Sequence, residues 1–119
     1  MGSRNLTIIE RRAHPRVEAN QRVSFLLKDN GGNRRKEGIG KALNISQGGI
    51  LLETHTPFEW QDILHISINV EDELVTISGK VVYCNTVAPG IFRTGIEFFK
   101  VNQKILSFVI GMLKMHLVS

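Results

Sequence analysis

Arginine is concentrated in one short stretch near the N-terminus, Glu10-Arg11-Arg12-Ala13-His14-Pro15-Arg16. The planar guanidinium group can donate two parallel hydrogen bonds, which suits phosphate oxygens and the O6/N7 edge of guanine. A second polar stretch, Asn44-Ile45-Ser46-Gln47-Gly48-Gly49, lies further along the chain. On a strand, Asn44 and Ser46 would point to one face, and the glycines allow a turn with positive φ and exposed backbone N–H groups. The two stretches therefore predict a site for a ligand with phosphate or guanine groups.

Positive charge is unevenly distributed along the chain. Residues 1–41 contain 10 of the 15 Lys and Arg residues and 4 of the 11 Asp and Glu residues, a balance of +6. Residues 42–119 contain 5 basic and 7 acidic residues, a balance of −2. An anionic partner would be attracted to the first part of the chain. The alternative interpretation is a solvated basic arm.

The elements that must position these residues are predicted from hydrophobic periodicity. Residues 1–20 show no sustained period and are expected to form a flexible or extended arm. Alternating apolar residues then predict six strands, and Leu43 and Ile45 face the core, which directs Asn44 and Ser46 to the outer surface. The predicted strands are Arg22–Lys28, Ile39–Ser46, Ile50–Thr54, Leu64–Val70, Val75–Tyr83 and Phe92–Phe98, with a loop from Asn85 to Gly90.

Six short strands with regular turn signals predict an all-β domain, either a small barrel or a strongly bent sheet, followed by a C-terminal helix. We assign residues 1–20 to the arm, 21–100 to the barrel and 101–119 to the helix, with Asn102 as the N-cap. The helix has two adjacent apolar sides, so it could close a barrel mouth, contact a partner or pair with a second copy. Gly111 within it suggests a close approach to another element. The two sides consist of Ile105, Val109, Met112 and His116, and of Leu106, Ile110, Leu113 and Leu117.

Several classes of function are not supported by the residue types. Cys84 is the only cysteine, which excludes an internal disulfide and suits a reducing compartment. No stretch approaches the roughly 18 apolar residues of a membrane span, and no signal peptide is visible, so we expect a cytoplasmic protein. The four histidines lack metal-ligand spacing, and no catalytic constellation is present. We therefore expect neither an enzyme nor a bound metal or cofactor.

The sequence resembles a PilZ domain, the bacterial receptor module for cyclic di-GMP, over about residues 10–99. Arg12-Ala13-His14-Pro15-Arg16 fits the RxxxR motif, and Asn44-Ile45-Ser46-Gln47-Gly48-Gly49 fits [D/N]xSxxG. Gly95-Ile96-Glu97-Phe98 fits the end of the last barrel strand. Trp60-Gln61-Asp62 departs from the family, because many relatives have a glycine near this turn. The resemblance implies a six-stranded antiparallel barrel with a helix packed at one end.

The resemblance also implies the ligand and the residues that bind it. The expected cyclic di-GMP contacts are Arg11, Arg12, Arg16, Asn44, Ser46, Gly48 and Gly49, with further contacts from His14 and Gly95. In this family an arginine directly before RxxxR tends to accompany two stacked ligand molecules. Arg11 is therefore either part of such a site or an exposed neighbour of the motif.

Three functions remain open at this stage. The first is a cyclic di-GMP receptor whose arm becomes ordered on binding and alters a contact with an unidentified effector protein. The second is a PilZ-fold adaptor that acts through protein contacts without ligand, although such adaptors usually lack the motifs seen here. The third is a small-barrel nucleic-acid binder, which would need exposed aromatic residues along its strands.

Overall fold

The alternating apolar residues form a closed barrel in the computed structural model, which describes residues 15–28 and 35–118. The strands pair in the order β1-β2-β3-β6-β5-β4, and every pair is antiparallel. This confirms the six-stranded antiparallel barrel. The strands are β1 (Val17–Lys28), β2 (Arg35–Ile45), β3 (Gly49–Thr54), β4 (Ile63–Val70), β5 (Glu73–Ala88) and β6 (Ile91–Phe98), followed by helix α1 (Gln103–Val118).

The barrel interior is filled by the apolar residues that alternate along each strand. Strand β4 is the clearest case, since Leu64, Ile66, Ile68 and Val70 are all buried and the residues between them are not. Closing the sheet pairs β1 with β4, which leaves each strand with two hydrogen-bonded neighbours. The outer surface of the barrel is therefore a continuous sheet on which a binding site can be built.

Strand β1 begins at Val17, whereas periodicity predicted an arm through residue 20 and a strand from Arg22. Val17 pairs with Ile45 and Glu18 pairs with Asn44, so these residues already belong to the barrel. The register then shifts between Glu18 and Gln21, where Asn20 has a φ of 46°. This bulge interrupts the alternation, which is why the sequence pattern did not reveal the start of the strand.

A second bulge, in β2, gives Leu43 a different orientation from the one predicted by alternation. The register between β2 and β3 shifts between Ala42 and Asn44. Ala42 and Ile45 are fully buried, while Leu43 is half-buried and does not belong to the core. Simple alternation would have placed Leu43 and Ile45 on the same face. The extra residue in the bulge instead turns the Leu43 side chain away from the face that Ile45 shares with the core.

Strand β5 is longer than predicted and also contains a bulge. It continues to Ala88, so the loop predicted from Asn85 is part of a hairpin with β6 that turns at Pro89-Gly90. The register shifts between Val81 and Tyr83. As a result Val81 is buried, but Tyr83, which strict alternation along the predicted strand would place on the core side, is 44% exposed on the outer surface.

Helix α1 packs against the barrel core, which settles part of the question raised by its wide apolar surface. The Asn102 side chain caps the helix by accepting a hydrogen bond from the Ile105 amide at 3.1 Å. Ile105 and Val109 are buried within the same cluster as the strand residues, with further apolar residues packed around them. The partly buried helix residues of this cluster are Phe108, Met112 and Leu113.

The far side of the helix remains outside this packing. Ile110 and Met115 are 43% and 66% exposed. A Cβ added at Gly111 would meet nothing within 4 Å, so the close approach inferred at this glycine is not made among the described residues. The side chains of His116 and Leu117 lie outside the described part of the chain. In residues 15–28 and 35–118 there is no helix with the length and apolar character needed to cross a membrane.

Candidate ligand-binding cleft

The turn that joins β2 to β3 is held together by the Ser46 side chain. Its hydroxyl oxygen accepts hydrogen bonds from the backbone amides of Gly48 at 3.2 Å and Gly49 at 3.1 Å. The Ser46 amide donates to the Gly49 carbonyl oxygen at 2.8 Å. Ser46 lies at the outer cleft described below, but it is only 4% exposed because its hydroxyl group is hydrogen-bonded within the turn. A serine at this point satisfies backbone donors that the tight turn would otherwise leave without partners.

Gly49 of this turn is required by close packing and not by backbone conformation. Neither Gly48 nor Gly49 has a positive φ, which corrects the prediction made from the double glycine. A Cβ on Gly49 would collide with the carbonyl oxygen of Ile96 on β6. The Phe98 amide donates to the Gly48 carbonyl oxygen at 2.9 Å, which fixes the turn against the same strand. The second motif therefore lies directly beside the third.

Arg16 is brought to this turn by the first residues of β1. The pairing of Val17 with Ile45 places the residue before the strand next to the end of β2. There the Nη1 of Arg16 donates to the Oδ1 of Asn44 at 2.8 Å. The Nη2 of Arg16 lies 3.6 Å from the position that a Cβ on Gly49 would occupy. Asn44 thus positions the guanidinium group above the glycine turn.

These parts enclose a cleft of about 620 Å³ on the outside of the barrel. Its volume lies within the range of about 300–1,000 Å³ typical of small-molecule sites. It is lined by Arg16, the turn 46–49, residues 82–83 of β5 and residues 95–101. Of the expected binding residues, the structure brings together Arg16, Ser46, Gly48, Gly49 and Gly95, whereas Asn44 contacts the cleft only through Arg16.

Three of the expected binding residues cannot be placed. Arg11, Arg12 and His14 lie outside the described residues. Their assignment to the site rests on the motif alone and stays a prediction.

Sequence reasoning missed the opposite wall of the cleft. Val82, Tyr83, Phe99 and Val101 line it and are each between 39% and 53% exposed. The adjacent apolar pair Val81-Val82 breaks strict alternation and could have indicated the bulge that turns Tyr83 outward. Trp60 is 72% exposed and lies outside the cleft lining.

Charge in the cleft is predominantly positive. Arg16 and Lys100 are the cations among its lining residues, and Glu97 is the carboxylate. Glu97 is paired with Lys80 of β5 at 3.7 Å, which reduces its repulsion of an anion. Among residues 15–28 and 35–118 no group of three or more His, Cys, Asp or Glu side chains could hold a metal ion. The arrangement suits an anion with a planar apolar part.

The sequence that forms this barrel and cleft matches a family of known domains. The family model described as the PilZ domain matches residues 10–111. The chain belongs to the PilZ domain family. Receptors for cyclic di-GMP (c-di-GMP) belong to this family. A comparison with curated proteins finds no match.

Solved structures show the same fold at low sequence identity. The Bacillus subtilis inhibitor of motility MotI/DgrA has a TM-score of 0.67 and 16% identity, covering 92% of this chain and 53% of that one. The PilZ domain of YcgR from Escherichia coli with c-di-GMP has a TM-score of 0.65 and 11% identity, covering 90% and 95%. The K. pneumonia MrkH–c-di-GMP complex has a TM-score of 0.58 and 17% identity, covering 92% and 53%. The chain spans about half the length of MotI/DgrA and of MrkH.

We predict that Ser46→Ala loosens the β2–β3 turn, because the amides of Gly48 and Gly49 lose their acceptor. Hydrogen exchange at these two amides should accelerate by about tenfold, as expected for a lost hydrogen bond of about 1.4 kcal/mol. The measurement is amide exchange followed by NMR. Ser67→Ala is the matched control, since the Ser67 hydroxyl bonds only to the Thr76 hydroxyl on the surface of β4 and β5. Unchanged exchange at Gly48 and Gly49 in the Ser46 variant would contradict the assigned role.

Proposed function

We propose that this PilZ domain binds cyclic di-GMP in the cleft between the glycine turn and the β5–β6 surface. The observation that supports the proposal is that residues from all three sequence motifs, Arg16, the turn 46–49 and Gly95, line one cleft. Cyclic di-GMP is a dianion with two guanine bases and two phosphodiester groups. Such a ligand needs cationic donors for its phosphates and flat apolar surface for its bases, and the cleft has both.

Arg16 is the residue that we assign to direct contact with the ligand. Its guanidinium group can bind either a phosphate or the O6/N7 edge of guanine. Asn44 fixes one guanidinium nitrogen at 2.8 Å, so less conformational entropy is lost when the ligand binds. We therefore assign Asn44 as a positioning residue for Arg16, and Ser46 as the residue that shapes the turn beneath the ligand.

Energetic considerations indicate that Arg16 does not act alone. One bidentate contact contributes about 1–3 kcal/mol, whereas micromolar affinity requires about 8 kcal/mol in total. Ordering a flexible segment on binding costs roughly a further 2–5 kcal/mol. We therefore retain Arg12 and His14 as additional ligand contacts, by analogy with the family motif. The apolar wall of the cleft would supply the remaining contacts.

We predict that Arg16→Ala weakens binding of cyclic di-GMP by about 10- to 100-fold, the equivalent of one bidentate contact. Isothermal titration calorimetry on the full chain measures this directly. Arg22→Ala is the matched control, because Arg22 is an exposed arginine of β1 that does not line the cleft. Linear pGpG and GTP test whether the cyclic dinucleotide is preferred.

Two outcomes would contradict the proposal. Equal losses in the Arg16 and Arg22 variants would indicate nonspecific attraction to positive charge, which falls steeply with added salt. Absence of binding by folded wild-type protein would instead favour an adaptor that acts through protein contacts alone.

The number of ligand molecules depends on Arg11 in this proposal. An additional arginine beside RxxxR would neutralise the phosphates of a second, stacked ligand. We predict a stoichiometry of two ligands per chain for the wild type and a reduced value for Arg11→Ala, measured in the same titrations. One ligand per chain in both proteins would show that Arg11 is only a neighbour of the motif.

We further propose that the signal is transmitted through the segment before Val17. Because β1 begins at Val17 and Arg16 lies at the cleft, ligand contacts from residues 8–16 would fix this segment across the barrel surface. The surface formed by this fixed segment and the barrel would then create or remove a contact with an effector protein. Amide exchange in residues 8–16 should slow when cyclic di-GMP is added. Identical exchange with and without ligand would contradict this mechanism.

A further inference from the structure

Tyr83 occupies an unusual position on the outer surface of β5. The register shift after Val81 places it opposite Gly95 of β6, on the side that faces solvent. Both residues line the cleft that contains Arg16. Strict alternation along β5 would instead have directed the Tyr83 side chain into the barrel. The bulge therefore brings an aromatic ring into the cleft.

The ring of Tyr83 lies flat over the backbone of Gly95. A Cβ built on Gly95 would be nearest to the Cε2 atom of the ring, and 2.6 Å and 2.8 Å from its neighbours Cζ and Cδ2. Similar distances to three adjacent ring atoms place this point above the ring face, because a point beyond the ring edge would lie much further from both neighbours. One face of the ring is therefore supported by β6, and the other is directed away from the strand.

We propose that Tyr83 is a stacking platform for a guanine base of the ligand. This inference rests on the proposed function, because it takes cyclic di-GMP as the occupant of the cleft. An aromatic ring supported on one side presents its other face with little loss of conformational freedom, since tyrosine has only two side-chain torsions. Stacking on the ring and a hydrogen bond from Arg16 to the guanine edge or phosphate are compatible within one cleft.

Other aromatic residues are less suited to this role. Phe99 also lines the cleft and is 53% exposed, but it lies in the irregular segment after β6. Trp60 is more exposed but does not line the cleft. Tyr83 alone of these three is both part of a strand and in contact with the cleft.

The platform changes the interpretation of Gly95. Sequence analysis predicted Gly95 as a ligand contact, whereas the structure places the Tyr83 ring directly over it. Gly95 is therefore a positioning residue, since any side chain there would displace the ring. Gly95→Ala should weaken ligand binding through Tyr83.

The test combines affinity with a signal from the ring itself. We expect Tyr83→Leu to weaken cyclic di-GMP binding by about tenfold or more, as found for base–aromatic stacking, and Tyr83→Phe to bind within about threefold of wild type. Trp60→Leu is the matched control for loss of an exposed aromatic residue. Tyr83 is the only tyrosine in the chain, so selective tyrosine labelling gives one set of ring resonances. A stacked guanine should shift these resonances upfield when ligand is added to wild-type protein.

The outcomes separate this inference from the proposed function. Arg16-dependent binding with unchanged tyrosine resonances would overturn the platform and leave the cyclic di-GMP site intact. Loss of affinity in Tyr83→Leu without a ring shift in wild type would also overturn it, because the ring would then act only on the structure of the cleft. Absence of cyclic di-GMP binding by folded wild-type protein would contradict both the platform and the proposed function.

Discussion

The close approach of the β2–β3 turn to β6 is the constraint on which the site depends. Gly49 lies against the Ile96 carbonyl oxygen, where no side chain would fit, and Phe98 donates to the Gly48 carbonyl oxygen at 2.9 Å. Ser46 keeps the turn compact because its hydroxyl oxygen accepts hydrogen bonds from two backbone amides of the turn. Since β3 pairs with β6 and β6 pairs with β5, this packing places the polar turn beside the apolar wall of the cleft. The barrel thereby connects motifs that are far apart in sequence.

The strands without irregularities were predictable from periodicity, and those with bulges were not. Strand β4 follows strict alternation, and the predicted strand Leu64–Val70 differs from the observed Ile63–Val70 by one residue. In β1, β2 and β5 one extra residue reverses the alternation, which misplaced the start of β1, the side chain of Leu43 and that of Tyr83. A bulge depends on pairing with a neighbouring strand, so a single strand's sequence carries little information about it.

The candidate site was likewise predictable only in part from the sequence. The residue types of Arg16, Asn44 and Ser46 indicated the chemistry, because their donors and acceptors suit phosphate and guanine. Their individual roles depend on tertiary contacts that sequence does not contain. Asn44 holds Arg16, and Ser46 is buried within the turn. In the proposed site, Arg16 would contact the ligand directly, while Asn44 and Ser46 would position the groups around it.

Chemical-shift mapping of the labelled full chain with cyclic di-GMP tests the central claim most directly. We predict that the largest amide shifts occur at Gly48, Gly49 and Gly95, around the cleft. The groove on the outer face of β1, β2, β4 and β5, lined by Ser24, Ile39 and Thr76, should remain unchanged. Shifts centred on that groove, or no saturable shifts in folded protein, would contradict the assignment of the cleft as the binding site.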